Sequence, residues 1–147
     1  MTTTLDELVD TFELLGDWEE RYRYLIDLGR KLPPLPAAQH DEAHRVRGCL
    51  SQVWLACRRE AGEPVRLRFA GDSDAHIVKG LIALLFKLVD GRSPRAILDL
   101  DIGEAFDRLG LGNHITVNRR NGFYAMVGRI KAFAAEAAGT PQTESTP

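Results

Sequence analysis

The chain has 147 residues, 44% of them apolar and 27% charged, with a formal net charge of −2 at pH 7. That length and composition fit one soluble globular domain with its own core. The near-neutral charge gives no bulk attraction to nucleic acid or an anionic membrane, and two cysteines exclude a disulfide framework and suit reduced thiols in a cytoplasmic compartment.

The start, M-T-T-T-L-D-E-L, is acidic and lacks the basic region and apolar run of a signal peptide. Thr4 and Glu7 read as a capping box for a first helix, in which Leu5, Leu8, Val9 and Phe12 have helical spacing. Gly16-Asp17 ends it, and Asp17 with Glu20 opens a second helix carrying Tyr22, Leu25, Ile26 and Leu28. The run Leu32-Pro33-Pro34-Leu35-Pro36 cannot be helix interior, because proline lacks the amide proton, so it reads as an extended connector.

Three short strands are expected next, at about residues 45–48, 51–59 and 65–70, with a turn at 61–64. Val53, Leu55 and Cys57 share one face, as do Val65, Leu67 and Phe69, while Arg58, Arg66 and Arg68 point the other way. Asp72-Ser73-Asp74 reads as N-cap chemistry for a helix over about 75–90 that is apolar nearly all round and therefore buried. Gly91 stops it. Ser93-Pro94 caps a short helix, Asp101 and Glu104 open another, and 109–112 is a break. The last helix runs from near Asn118 through Phe133. The expectation is a single domain over 1–138, followed by a disordered tail at 139–147 without apolar content.

The chemistry centres on residues 46–55, V-R-G-C-L-S-Q-V-W-L. Gly48 suits a tight turn between two strands, which puts Cys49 at a hairpin tip where another protein can reach it. A thiol acts as its thiolate, and Arg47 and the Ser51 hydroxyl are the local groups that favour the anion. Cys57 reads instead as a packed thiol. His40, His44, Cys49, Cys57, His76 and His114 are the candidate metal ligands, but they lack the close pairs of a zinc site. A hydrolytic cysteine would need His114 or His76 as base. The face with Arg58, Arg66, Arg68 and Trp54 admits a single-stranded nucleic acid reading, against which a solvated face is the plainer one.

The 46–55 stretch resembles the signature loop of the SufE sulfur-acceptor family, which includes CsdE. Y-L-I-D-L-G-R-K-L-P (24–33) is similar to the family's second helix and its exit. D-S-D-A (72–75) with I-V-K-G-L-I (77–82) resembles the start of its buried helix, and L-G-L (109–111), His114 and R-R-N-G-F (119–123) its C-terminal segment. These motifs fall in order over about residues 22–133. The resemblance implies an α+β fold: a small antiparallel three-stranded sheet with helices packed on one face, shared with U-type cluster scaffolds.

It also implies a sulfur acceptor. Cys49 takes a persulfide sulfur from a PLP-dependent cysteine desulfurase of the SufS/CsdA kind and stimulates that enzyme. The sulfur then passes to iron–sulfur cluster assembly, on a scaffold such as a SufBCD-like complex. The PLP belongs to the partner; no cofactor, metal, nucleic acid or membrane is expected for this chain, which acts as a carrier and not as an enzyme. Gly48, Ser51, Asp74 and Arg119 are carried over as supporting residues. The alternative is a metal- or cluster-binding scaffold of related fold, which uses several cysteines where this chain has one in the loop. A carrier persulfide needs shelter from reductants, so Cys49 is expected to fold back against its own domain when alone and to swing out on docking.

Overall fold

A computed structural model describes residues 5–49 and 51–139. Helix α1 spans Leu5–Leu15 and α2 spans Trp18–Arg30. Asp17 caps α2 by accepting the Glu20 amide at 2.9 Å. The partner proposed for Glu7 in a capping box, Thr4, lies outside the described residues, as does the tail from residue 140. The proline-rich connector leads through two 3₁₀ turns, Ala37–Gln39 and Glu42–His44, into the cysteine loop.

Strands β1 (Val53–Glu60) and β2 (Arg66–Ser73) pair antiparallel, with Val53 opposite Ser73 and Glu60 opposite Arg66. The domain is α+β, but among the described residues the sheet has two strands, not three. The expected first strand is reduced to one bridge, Arg45 to Trp54, and one bond from the Val46 amide to the Val53 carbonyl at 2.8 Å. The cause is competition for backbone groups. Asp41 caps the His44 amide, and Arg129 of the last helix binds the carbonyls of Ala43 and Arg45 at 2.7 and 3.2 Å. Those carbonyls are satisfied by a side chain, not by a sheet neighbour.

Helix α3 (His76–Val89) is buried along most of its length. It crosses α2 at backbone contact: a Cβ on Gly80 would lie 2.3 Å from the Leu25 carbonyl oxygen. Short helices α4 (Pro94–Asp99) and α5 (Ile102–Arg108) are capped by Ser93 and Asp101 as their sequence indicates. A 3₁₀ turn, Leu111–Asn113, precedes the long α6, Val117–Ala137. Phe69 on β2 meets Phe86 of α3 at 5.8 Å and Phe133 of α6 at 6.4 Å, so both helices cover the same sheet face.

Candidate functional site

The loop is closed at its base from two sides. The Val46–Val53 bond holds one stem. Asp74 holds the other: its carboxylate accepts the Gln52 amide at 3.0 Å, and its own amide donates to the Gln52 carbonyl at 3.3 Å. The expected helix cap is therefore not formed. Ala75 occupies the N-cap position without a side-chain bond. Ser73 Oγ accepts the Ala75 amide, and Asp72 accepts the Ser73 amide. The D-S-D chemistry is spent on the turn and on the cysteine loop.

Gly48 takes φ +94°, a value that side-chain-bearing residues rarely adopt, and turns the chain at the loop. Cys49 follows, half-buried and folded back onto α6. Its thiol donates to the Gly122 carbonyl with Sγ 3.6 Å from the oxygen. A Cβ on Gly122 would lie 3.2 Å from Sγ, so the sulfur occupies the room left by a missing side chain. Val53, Val78, Leu81, Phe123 and Met126 form the apolar wall of the cleft around it. Ser51, Thr116, Asn118 and Arg119 complete it, and its volume is about 190 Å³.

The electrostatics of the thiol differ from the sequence expectation. Burial pushes the Cys49 thiol above its ordinary range, and the positive charge of Arg45 opposes the shift. Arg47 is not the opposing group; its largely exposed guanidinium pairs with Glu42 at 2.8 Å. Among the described residues no hydrogen bond joins Ser51 to Cys49. Arg119 lies in the first turn of α6, where Thr116 Oγ1 accepts its amide at 3.2 Å. Its Nη1 is buried with no hydrogen-bond partner. A buried, unpaired guanidinium nitrogen is costly and favours an anion brought into its reach.

Cys57 lies on the helix-covered side of β1, packed partly against the core. Burial, with the carboxylates of Asp90 and Glu136, drives its thiol up to about 11. The four histidines are dispersed: His40 bonds Asp72, His44 bonds Asp41, His76 is the first residue of α3, and His114 stacks on Trp18 at 4.0 Å. Among the described residues no three His, Cys, Asp or Glu side chains group as metal ligands. On the sheet's other face Trp54 packs against His40 at 4.7 Å and Arg68 pairs with Glu60 and Asp90, which leaves little of the nucleic acid platform considered above. Among those residues, too, no helix is long and apolar enough to cross a membrane. Sequence reasoning missed Arg45, Gly122 and the α6 wall. Only the R-R-N-G-F motif hinted at the last, as a glycine inside a helical pattern.

Fold and site together define a small α+β domain that presents one loop cysteine beside a cleft of its own. The profile of the SufE family, described as an Fe-S metabolism associated domain, matches residues 6–134. The chain belongs to the SufE family, and with it is associated with Fe–S metabolism. An uncharacterized SufE-like protein of Rhizobium meliloti is 41% identical over 134 residues, covering 90% of this chain and 95% of that one. One from Rhizobium etli is 42% identical over 130 residues, covering 87% of each. A solution structure of a hypothetical protein from Thermus thermophilus superposes with a TM-score of 0.75 at 27% identity, covering 91% of this chain and 95% of that one.

Proposed function

We propose that the chain is a persulfide carrier. It accepts sulfur from a PLP-dependent cysteine desulfurase onto Cys49, stimulates that enzyme and delivers the sulfur to iron–sulfur cluster assembly in the cytoplasm, without an activity or cofactor of its own. The carrying observation is the seat of Cys49: a half-buried loop thiol beside a 190 Å³ cleft that is also lined by Arg119, a residue with an unpaired guanidinium nitrogen. One added sulfur is about the size of a water molecule, which needs roughly 10–15 Å³ of such space. The cleft takes it with room to spare.

The step balances without a further reactant. Cys49 first loses its proton. Its thiolate attacks the outer sulfur of a persulfide on the desulfurase cysteine; a new S–S bond forms at Cys49, the donor's S–S bond breaks, and the electron pair departs on the donor thiolate. Burial disfavours that first ionisation while the protein is alone. Drawing the loop out on docking returns the thiol to water and removes the cost. Gly48 is the hinge, and the Asp74–Gln52 tie sets how far the loop travels. Retraction carries the persulfide into the cleft, where Arg119 faces it and Ser51 stands at the wall.

The test is incubation with the desulfurase and cysteine, followed by intact-mass analysis. One added sulfur that maps to Cys49, is lost in Cys49→Ser and is kept in Cys57→Ser is expected. Sulfur on Cys57, or desulfurase stimulation that survives Cys49→Ser, refutes the reading.

A further inference from the structure

Away from the cysteine cleft, α2, β2 and α3 enclose an open groove of about 450 Å³. Its rim carries Lys31 at the end of α2, Arg66 and Arg68 on β2, and Lys87 on α3. Asp90 is the carboxylate in its wall, and it is engaged with Arg68 at 3.3 Å and with the Phe69 amide at 2.7 Å. Arg66 spends one nitrogen on the Gly91 carbonyl, at 2.9 Å. Among the described residues neither Lys31 nor Lys87 pairs with a carboxylate. Arg68 is also held by Glu60 at 3.3 Å, so four cations against two acids leave about two positive charges, centred on Lys31, Arg66 and Lys87, on a chain whose net charge is −2. Such focusing in a concave surface attracts the opposite charge. The floor is apolar: Leu28, Leu32, Pro33, Ala83, and the edges of Phe69 and Phe86.

We infer that this groove docks an acidic peptide segment of a partner protein, one that carries an apolar side chain among its carboxylates. The charge selects the acidic segment. The apolar floor between the cations selects the anchor, and lysine stems along the walls add to it. Single-stranded nucleic acid fits less well, because bases need free aromatic faces. Phe69 and Phe86 stack on one another at 5.8 Å and are each 9% exposed. The groove shares no lining residue with the Cys49 cleft: α3 gives Val78 and Leu81 to one and Ala83, Phe86 and Lys87 to the other. A partner seated there leaves the sulfur-bearing thiol open to a second protein. The docking requires no sulfur chemistry, so it stands or falls separately from the carrier reading.

The probe is a short fluorescein-labelled peptide rich in glutamate with one central phenylalanine, titrated into the full chain and followed by anisotropy and by amide shifts in NMR. Saturable binding that weakens with added salt is expected, with shifts around Lys31, Arg66, Lys87 and Gly91 and none around Cys49 and Gly122. Reversing two rim charges in Lys31→Glu/Lys87→Glu should weaken it about tenfold, about 1.4 kcal/mol. Arg66→Glu should weaken it independently; Lys31→Glu/Lys87→Glu should keep the melting temperature, and both variants should keep the rate of Cys49 alkylation. The inference is overturned by equal affinity for the charge-reversed chain, by equal affinity for a peptide without the phenylalanine, or by tighter binding of single-stranded oligonucleotide in the same groove. Shifts mapped elsewhere, or self-association through the acidic α1 of a second copy in that groove, overturn it as well.

Discussion

Replacing Gly122 by alanine is expected to expel Cys49 from its seat while leaving α6 intact. The new Cβ would lie 3.2 Å from Sγ and 3.7 Å from Cys49 Cβ, with no other atom nearer than the Cys49 Cα at 3.8 Å. Alanine in a helix interior gains about 0.8–1 kcal/mol over glycine. Overpacking costs about 1–3 kcal/mol where the neighbour cannot yield. Here the neighbour is a single side chain on a loop that turns at a glycine with φ +94°, so it yields cheaply. The two effects nearly cancel. The net change stays within about 1 kcal/mol, or about 2–4 °C in melting temperature for a chain of this length. Cys49 meanwhile loses the burial that raises its thiol and the Gly122 carbonyl that its S–H donates to. Each unit by which a thiol's pKa falls multiplies the thiolate at neutral pH about tenfold. Alkylation of Cys49 by iodoacetamide in a Cys57→Ser background should therefore rise several-fold. An unchanged rate, or a melting temperature lowered by the equivalent of about 3 kcal/mol, would show that the helix moves and not the loop.

Other perturbations follow from the same contacts. The rate of Cys49 alkylation against pH should show its inflection above that of a free thiol, since burial disfavours the thiolate, and Arg45→Gln should move it higher still by removing the opposing charge; an inflection unmoved by that change counts against the electrostatic account. Gly80→Ala should destabilise strongly, by about 3 kcal/mol or more, because its Cβ meets the Leu25 carbonyl at 2.3 Å in rigid backbone; a denaturation midpoint near wild type would mean that α2 and α3 separate easily. His40 sets its two ring nitrogens against two acceptors, Pro36 O at 3.2 Å and Asp72 Oδ2 at 2.9 Å, so the imidazolium satisfies both and the neutral ring only one. The Asp72 hydrogen bond raises the His40 pKa above 6.5, with Lys79 on the far side of the same carboxylate. The contribution is full below the unfolded value and lost as pH rises through the folded one, so His40→Gln should flatten the stability profile across that window. A profile identical to wild type refutes the assignment.

Much of the architecture follows from local pattern. The caps at Asp17, Ser93 and Asp101 and the buried course of α3 are local or near-local features, and each formed where the sequence puts it. The motif of residues 46–55 singled out Cys49 because residue types in order carry that information without any fold. The third strand failed for a non-local reason. Arg129, more than eighty residues away, takes the carbonyl of Arg45 at the start of the expected strand, and that of Ala43 just before it. The same distance hid the role of Asp74, whose own D-S-D context reads as a cap while its partner Gln52 stands on another element.

What the sequence alone determined is therefore the family, the helices with the caps at Asp17, Ser93 and Asp101, and the loop position of Cys49, all encoded in neighbouring residues. What only the tertiary structure decided is the state of that thiol. Its burial against Gly122, its opposition by Arg45 and not Arg47, and the unpaired nitrogen of Arg119 beside it depend on α6 and the loop meeting in space. Desolvation and charge act through distance, and sequence spacing does not measure the distance between chain segments that folding brings together.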